Sequence, residues 1–544
     1  MALDIPGLIG VIVFYIAILV IGLLAGRKKS SDSNSQFLAN RDLGVFVASF
    51  TLSATMVGGA YINGTAEEVA RRGIIYINAP LCLNLGIVIA AIVIAPKVRK
   101  AGYSTIFDPL QSRFGEKMGA LLFFNEFFAN LFWGAAILGA LGSSLSLILD
   151  LDVDLCIVIS ACVAIAYTFF GGLYSVAYTD IIQLIFMAIG LVLAIPFAFT
   201  NEAVDISSVK DTWVGTLPTS KIGVYIDMCL LCVFGGIPWQ VYYQRVLACR
   251  SPSAARTSSL IGTFMATLML IPPTLIGIAG SAADWNMTSF ETSGNLTSDQ
   301  LAAILPMSVR YLCPTAVSVV GLGAISASVM SSADSLVLAT GSVFAKNIYN
   351  TLFRPKASDR EIVWVLRISI LVVGAASTAL AIVVHSIFAL FVLCTDLMYV
   401  AHFPQFVCAL WFEGGNTYGS LCGFVVALLL RCLGGEPALK MPVVLKYPMF
   451  DETSGEQLFP YKTLAMLCSL GTLVGVSLLT NFIFTRNIIG KKFDIFHCFQ
   501  EEVTEKDAKD VKMLSNEDEQ TDKDKSNTDR PLLDKENGDD ETKL

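Results

Sequence analysis

Ser328, Ser331 and Ser332 lie three and four residues apart inside an apolar run. On a helix this spacing puts Ser328 and Ser332 on one face, with Ser331 beside them. Three hydroxyls grouped in this way could supply oxygens to a small dehydrated cation. They could equally bond back to their own helix carbonyls and allow close helix packing. Ionisable residues stand in apolar runs too: Asp180, Asp334 three residues beyond Ser331, Asp396, and Glu126 among phenylalanines. Charge at membrane depth is costly, so each is a candidate for ion coupling or gating. Asp180 could instead cap a helix, and Glu126 could be protonated or reach toward the interface. Catalytic chemistry has no comparable constellation. The chain has three histidines, none beside a serine or cysteine nucleophile pattern. Cys229-x-x-Cys232 lacks a second pair or a histidine in zinc spacing and reads as packing. No enzyme activity, cofactor or nucleic-acid partner is expected.

The elements that position these residues are interrupted helices. Gly235-Gly236-Ile237-Pro238-Trp239-Gln240 sits inside an apolar span from Ile222 to Tyr243. Proline removes a donor and crowds the preceding turn, so the helix should break there. An earlier span, Leu43 to Glu67, carries a second interruption at Val57-Gly58-Gly59-Ala60-Tyr61-Ile62-Asn63-Gly64. Backbone freed from its helix survives in hydrocarbon only where protein buries it or where it lines a cavity. Paired breaks in corresponding halves point to a transporter's binding site.

The 544-residue chain is 54% hydrophobic and 15% charged. Repeated apolar runs of about 20 residues make it an all-α polytopic membrane protein with about thirteen transmembrane helices. The runs begin near Pro6, Leu43, Ile74, Gly119, Asp154, Thr179, Ile222, Ser258, Met307, Glu361, Ile387, Thr417 and Lys462. The first is too long, and too basic at its end, for a cleaved signal peptide. Basic groups at Arg27-Lys28-Lys29, Lys97–Lys117, Arg245/Arg250/Arg256, Lys346–Arg360 and Arg486–Lys492 fall on alternate loops. The positive-inside rule makes those loops cytoplasmic, with the N-terminus outside and the C-terminus inside. Glycosylation sequons at Asn286 and Asn295 fall on the opposite side and agree. A third, at Asn63, abuts the first break, too close to the membrane for use. Residues 501–544 hold sixteen acids against eight bases, which equals the whole chain's net charge of −8. This tail reads as disordered. Within it, Asp529-Arg530-Pro531-Leu532-Leu533 has the form of an acidic dileucine signal for endocytic adaptors, or is a chance match.

Gly171-Gly172-Leu173-Tyr174-Ser175-Val176-Ala177-Tyr178-Thr179-Asp180-Ile181-Ile182-Gln183 resembles the Gly-Gly…Thr-Asp…Gln element of the sodium/solute symporter family. Three further stretches carry the resemblance: Tyr61 to Glu67, Gly235 to Leu247, and Val329 to Ser335. Together they are similar to the choline-carrying members, from the first span to about Phe496.

The resemblance implies a LeuT-like five-plus-five inverted repeat, each half opened by a broken helix. Residues 1–42 would then be a first span and link, 43–200 and 201–415 the two repeats, 416–490 two peripheral spans, and 491–544 the tail. It implies a principal sodium site between the serine helix and the first break, with Gly59 and Ile62 as carbonyl donors. Asp180 matches an aspartate associated with a second sodium site in some members, and chloride is a candidate second ion. Choline is a fixed cation with no donor, suited to aromatic ring faces worth on the order of 2 kcal/mol each when desolvated. Trp133 and Trp239 match cage positions, with Tyr61 and Tyr76 as further contributors. Trp213, Trp285 and Trp411 read as core or interfacial aromatics. One position departs: Met56 stands where the choline-carrying members have tryptophan, keeping bulk without the ring quadrupole. The implied function is sodium-coupled symport of choline or a related quaternary amine at the plasma membrane, with cycling through vesicles. A carrier for another solute, or a transport-inactive sensor or leak channel, are the alternatives.

Overall fold

The computed structural model describes residues 33–149, 151–290, 296–384 and 387–499, with isolated positions between 13 and 24. Hydrocarbon leaves the backbone no partner but itself, and the described chain is accordingly helical. A two-residue ribbon, Phe450–Asp451 against Glu456–Gln457, is the exception among its named elements.

The first broken span is α1 (Val45–Met56) and α2 (Gly59–Arg72), bent by 50° at the break. It is followed by α3 (Asn78–Ala101), α4 (Glu116–Leu149) and α5 (Val153–Phe199), the last interrupted at Gly172. The second break separates α6 (Ile222–Gly235) from α7 (Gln240–Ala248). Then come α8 (Pro252–Ser281), α9 (Thr315–Val343), α10 (Asp359–Val383) and α11 (Ile387–Trp411). Two outer helices, α12 (Thr417–Leu433) and α13 (Tyr461–Thr485), follow.

Among the described residues nine helices are long and apolar enough to cross a membrane, or ten with the bent pair. Two expected spans appear as shorter apolar helices, Val153–Ala166 and Thr417–Leu433. The run expected from Met307 begins instead at Thr315, after a separate helix, Ile304–Leu312. The run from Pro6, apart from those isolated positions, and the acidic tail with its dileucine lie outside the described residues.

By packing, the chain divides into a body, Met1–Asn481, and a C-terminal unit, Phe482–Leu544. In the latter, Phe484 stacks on Phe499 with ring centroids 4.8 Å apart. In the body, α9 is the central post, packed along α5, α4 and α10 and buried over nearly its whole length. Most hydroxyls in such helices satisfy themselves on the preceding turn. Thr55 bonds Thr51 O at 2.7 Å, Thr263 bonds Ser259 O at 2.7 Å, and Thr340 bonds Leu336 O at 2.9 Å.

Candidate ion and solute site at the broken helices

The three serines depart from that habit. Ser328 Oγ donates across to Val57 O at 2.7 Å, and Ser332 Oγ to Thr55 O at 3.0 Å. Ser331 Oγ donates to Asp180 Oδ1 at 2.5 Å. The self-bonding alternative is therefore not adopted here. Both carbonyls belong to the last turn of α1 and the break, where no continuing helix claims them. Gly59 and Ile62, expected as carbonyl donors, lie inside α2, whose own ladder takes their oxygens. Close approach requires glycine here: a Cβ on Gly58 would lie 2.2 Å from Ser332 Oγ.

Asp180, on α5, also accepts from Thr51 on α1. Its second oxygen lies 3.8 Å from Arg245 Nη2, and both side chains are 0% exposed. Arg245 donates to Ser335, which contacts Thr55 Oγ1 at 3.0 Å. The charge-based topology counted Arg245 as a loop residue; it is instead buried on α7. Thr51, Thr55, Ser335 and Arg245 were missed by the sequence reading.

Beside this polar cluster is a cavity of about 40 Å³. Its walls include Met56, Tyr61, Trp133, Trp239, Phe391 and Arg245. That volume admits a few waters at most, so an organic solute enters only if the walls part. Trp133 and Trp239 meet at 4.4 Å between centroids, tilted by 50°. Trp239 is placed by the second break, in extended backbone just before α7. Its Nε1 donates to Asn130 Oδ1 at 2.8 Å, which ties down the polar edge of the ring. Tyr61 is fixed by its hydroxyl, which donates to Ala266 O at 3.0 Å and accepts from Asn84 at 2.8 Å.

The remaining candidates separate. Tyr76 is not in the cavity. It lies on the turn beyond α2, with the Arg72 guanidinium 4.1 Å from its ring centroid. Glu126 is buried below the second break and accepts from Gln240 N at 3.3 Å, so it does not reach the interface. Asp396 pairs with Arg431 at 2.5 Å and Lys462 at 3.1 Å, joining α11 to α12 and α13. Asp334 contacts Thr168 rather than the serine cluster. Trp285 is buried, whereas Trp213 and Trp411 are exposed. Asn286 is exposed just beyond α8, Asn63 is buried in α2, and Asn295 lies outside the described residues.

Helices broken at midspan, hydroxyls aimed at the freed carbonyls and an aromatic cavity alongside define a membrane transporter of the broken-helix class. Known proteins agree. The profile of the sodium:solute symporter family matches residues 36–427. High-affinity choline transporter 1 of Drosophila melanogaster is 47% identical over 501 residues, covering 91% of this chain and 82% of that protein. High affinity choline transporter 1 of Homo sapiens is 41% identical, covering 95% of this chain and 92% of that protein. Among solved structures, a substrate-bound outward-open Na+-coupled sialic acid symporter aligns with a TM-score of 0.73 at 18% identity. That alignment covers 87% of this chain and 97% of the symporter. The chain belongs to the sodium:solute symporter family. It is an integral membrane carrier, not an enzyme, and sodium is its coupling ion.

Proposed function

We propose that the protein carries choline, or a closely related quaternary amine, into the cell together with sodium, by alternating access around its two broken helices. The observation that carries this reading is the Trp133–Trp239 pair, held at the second break beside the serine cluster. Ring faces suit a cation that cannot donate a hydrogen bond. The named relatives, choline transporters over nearly their full length, support the same solute. One charge moved through about 60 mV contributes roughly 1.4 kcal/mol. A tenfold sodium gradient contributes about as much again. One sodium thus supports about hundredfold accumulation of a neutral solute, and more of a cation.

In this reading sodium sits among Ser328, Ser331, Ser332, Asp180 and the carbonyls of Thr55 and Val57. The chain would have thirteen spans, with repeats over 43–200 and 201–415, the N-terminus outside and the tail inside. Chloride as a second ion, plasma-membrane residence with vesicle cycling, and adaptor binding at the tail complete the proposal. The decisive experiment is radiolabelled choline uptake in sodium against lithium medium. Saturable uptake lost in lithium supports the carrier, and absence of uptake from a surface-expressed protein overturns it. Met56 favours a second reading, a symporter for another small solute. Uptake of that solute undiminished by excess choline would establish it.

A further inference from the structure

On the side of α9 away from the serine cluster lies a second, smaller cavity, about 20 Å³, enclosed by α4, α5, α9 and α10. That is room for a single water. Among the described residues, two polar atoms lining it have no hydrogen-bond partner: Asp334 Oδ2 on α9 and Ser377 Oγ on α10. Asp334 is 0% exposed and Ser377 1%. The other oxygen of Asp334 lies 2.5 Å from Thr168 Oγ1, and that hydroxyl also lies 2.8 Å from Ala164 O, one turn back on α5.

The count of hydrogens decides the chemistry. A threonine hydroxyl has one hydrogen, and a carbonyl oxygen can only accept. If Thr168 donates to Ala164 O, the contact with Asp334 Oδ1 needs its hydrogen from the carboxyl group. If Thr168 donates to Asp334 instead, a carboxylate is buried with one neutral donor against a largely apolar wall, which is very costly. Among the described residues, the walls from α4 (Gly134, Leu138), α5 (Ala164, Ile165) and α10 (Gly374, Ser377) bring no charged or titratable group. A sodium ion would need more oxygens than Asp334, Thr168 and Ser377 provide.

We propose that Asp334 is a proton-binding site, occupied in this state, with its carboxyl hydrogen directed at Thr168 Oγ1 and its second oxygen open to the cavity. The acid loses its proton only when α9 and α10 part and water enters, so protonation holds these helices together. The site is separate from the sodium cluster and does not depend on which solute is carried.

The test uses infrared spectra of the purified full chain at neutral pH, with sodium binding followed by tryptophan fluorescence. Wild type minus Asp334→Asn should show a protonated-carboxyl C=O band that shifts in D2O. Thr168→Val should keep that band and move it to higher frequency, because the acid has lost its acceptor. The amide of Asp334→Asn still donates to Thr168, so half-saturating sodium should stay within about threefold of wild type. Absence of the band in wild type, or a larger change in sodium affinity, overturns the proposal. Should Asp334→Asn fail to fold, the Thr168→Val spectrum decides alone: an unmoved band overturns it.

Discussion

Arg245 Nη2 stands 3.8 Å from Asp180 Oδ2, and neither side chain reaches solvent. The pair links α7, just past the second break, to α5, and Asp180 is also held from α1 by Thr51 and from α9 by Ser331. Four helices therefore converge on one carboxylate. A guanidinium beside it supplies the balancing charge that a bound cation would otherwise bring.

Removing one partner of a buried pair strands the other, at about 3–5 kcal/mol. Asp180→Asn and Arg245→Gln should each lower thermal stability of the purified protein and abolish most sodium-dependent uptake. The double substitution leaves no unpaired charge and should recover most of the stability while uptake stays low. A double variant that melts no higher than either single one would show that the pair is not coupled.

Ser332→Ala removes one hydroxyl from the group facing the first break. Half-saturating sodium should rise about tenfold, equivalent to about 1.4 kcal/mol, with surface expression intact. Gly58→Ala tests the same contact sterically, since its Cβ would meet Ser332 Oγ at 2.2 Å. It should depress uptake more than Ser332→Ala does. Unchanged sodium activation in Ser332→Ala takes that residue out of the site.

Joint Asn286→Gln and Asn295→Gln substitution should abolish the glycosidase-sensitive shift in gel mobility. Asn63, 1% exposed within α2, is not available as a substitute. A persisting shift would mean that the topology is misplaced or that Asn63 carries the glycan after all.

What could be read from the sequence follows from what each signal measures. Both breaks were legible because Gly-Gly and Gly-Gly-Ile-Pro are backbone events, and backbone chemistry is local. The serine face was legible because helical spacing fixes direction. Tyr76 lies apart from the cavity because nearness along the chain ignores α2, whose 14 residues carry the chain about 21 Å away from the break. The carbonyls that meet the serines, those of Thr55 and Val57, lie a few residues before Gly59 because sequence does not say where the helix restarts. Arg245 was taken for a loop charge because a basic residue after an apolar run normally marks the membrane surface. Its position five residues beyond Gln240, inside the nine-residue α7, was the available signal.

The solute itself is best tested where the chain departs from its choline-carrying relatives. Met56 lines the cavity with Trp133 and Trp239, so a ring placed there would face the same space. Trp239→Ala should cost more in substrate affinity than Trp285→Ala, since Trp285 lines no part of this cavity and donates to Gly280 O at 3.1 Å. Met56→Trp adds a third indole face, worth about 1–2 kcal/mol against a quaternary ammonium, or roughly five- to thirtyfold in affinity. If the native solute is not a quaternary amine, the added ring occupies a cavity of only about 40 Å³ and should obstruct native transport without creating tight choline binding. Choline half-saturation in both forms separates the two cases. No gain in a Met56→Trp protein present at the surface would remove Met56 from the cation-binding wall.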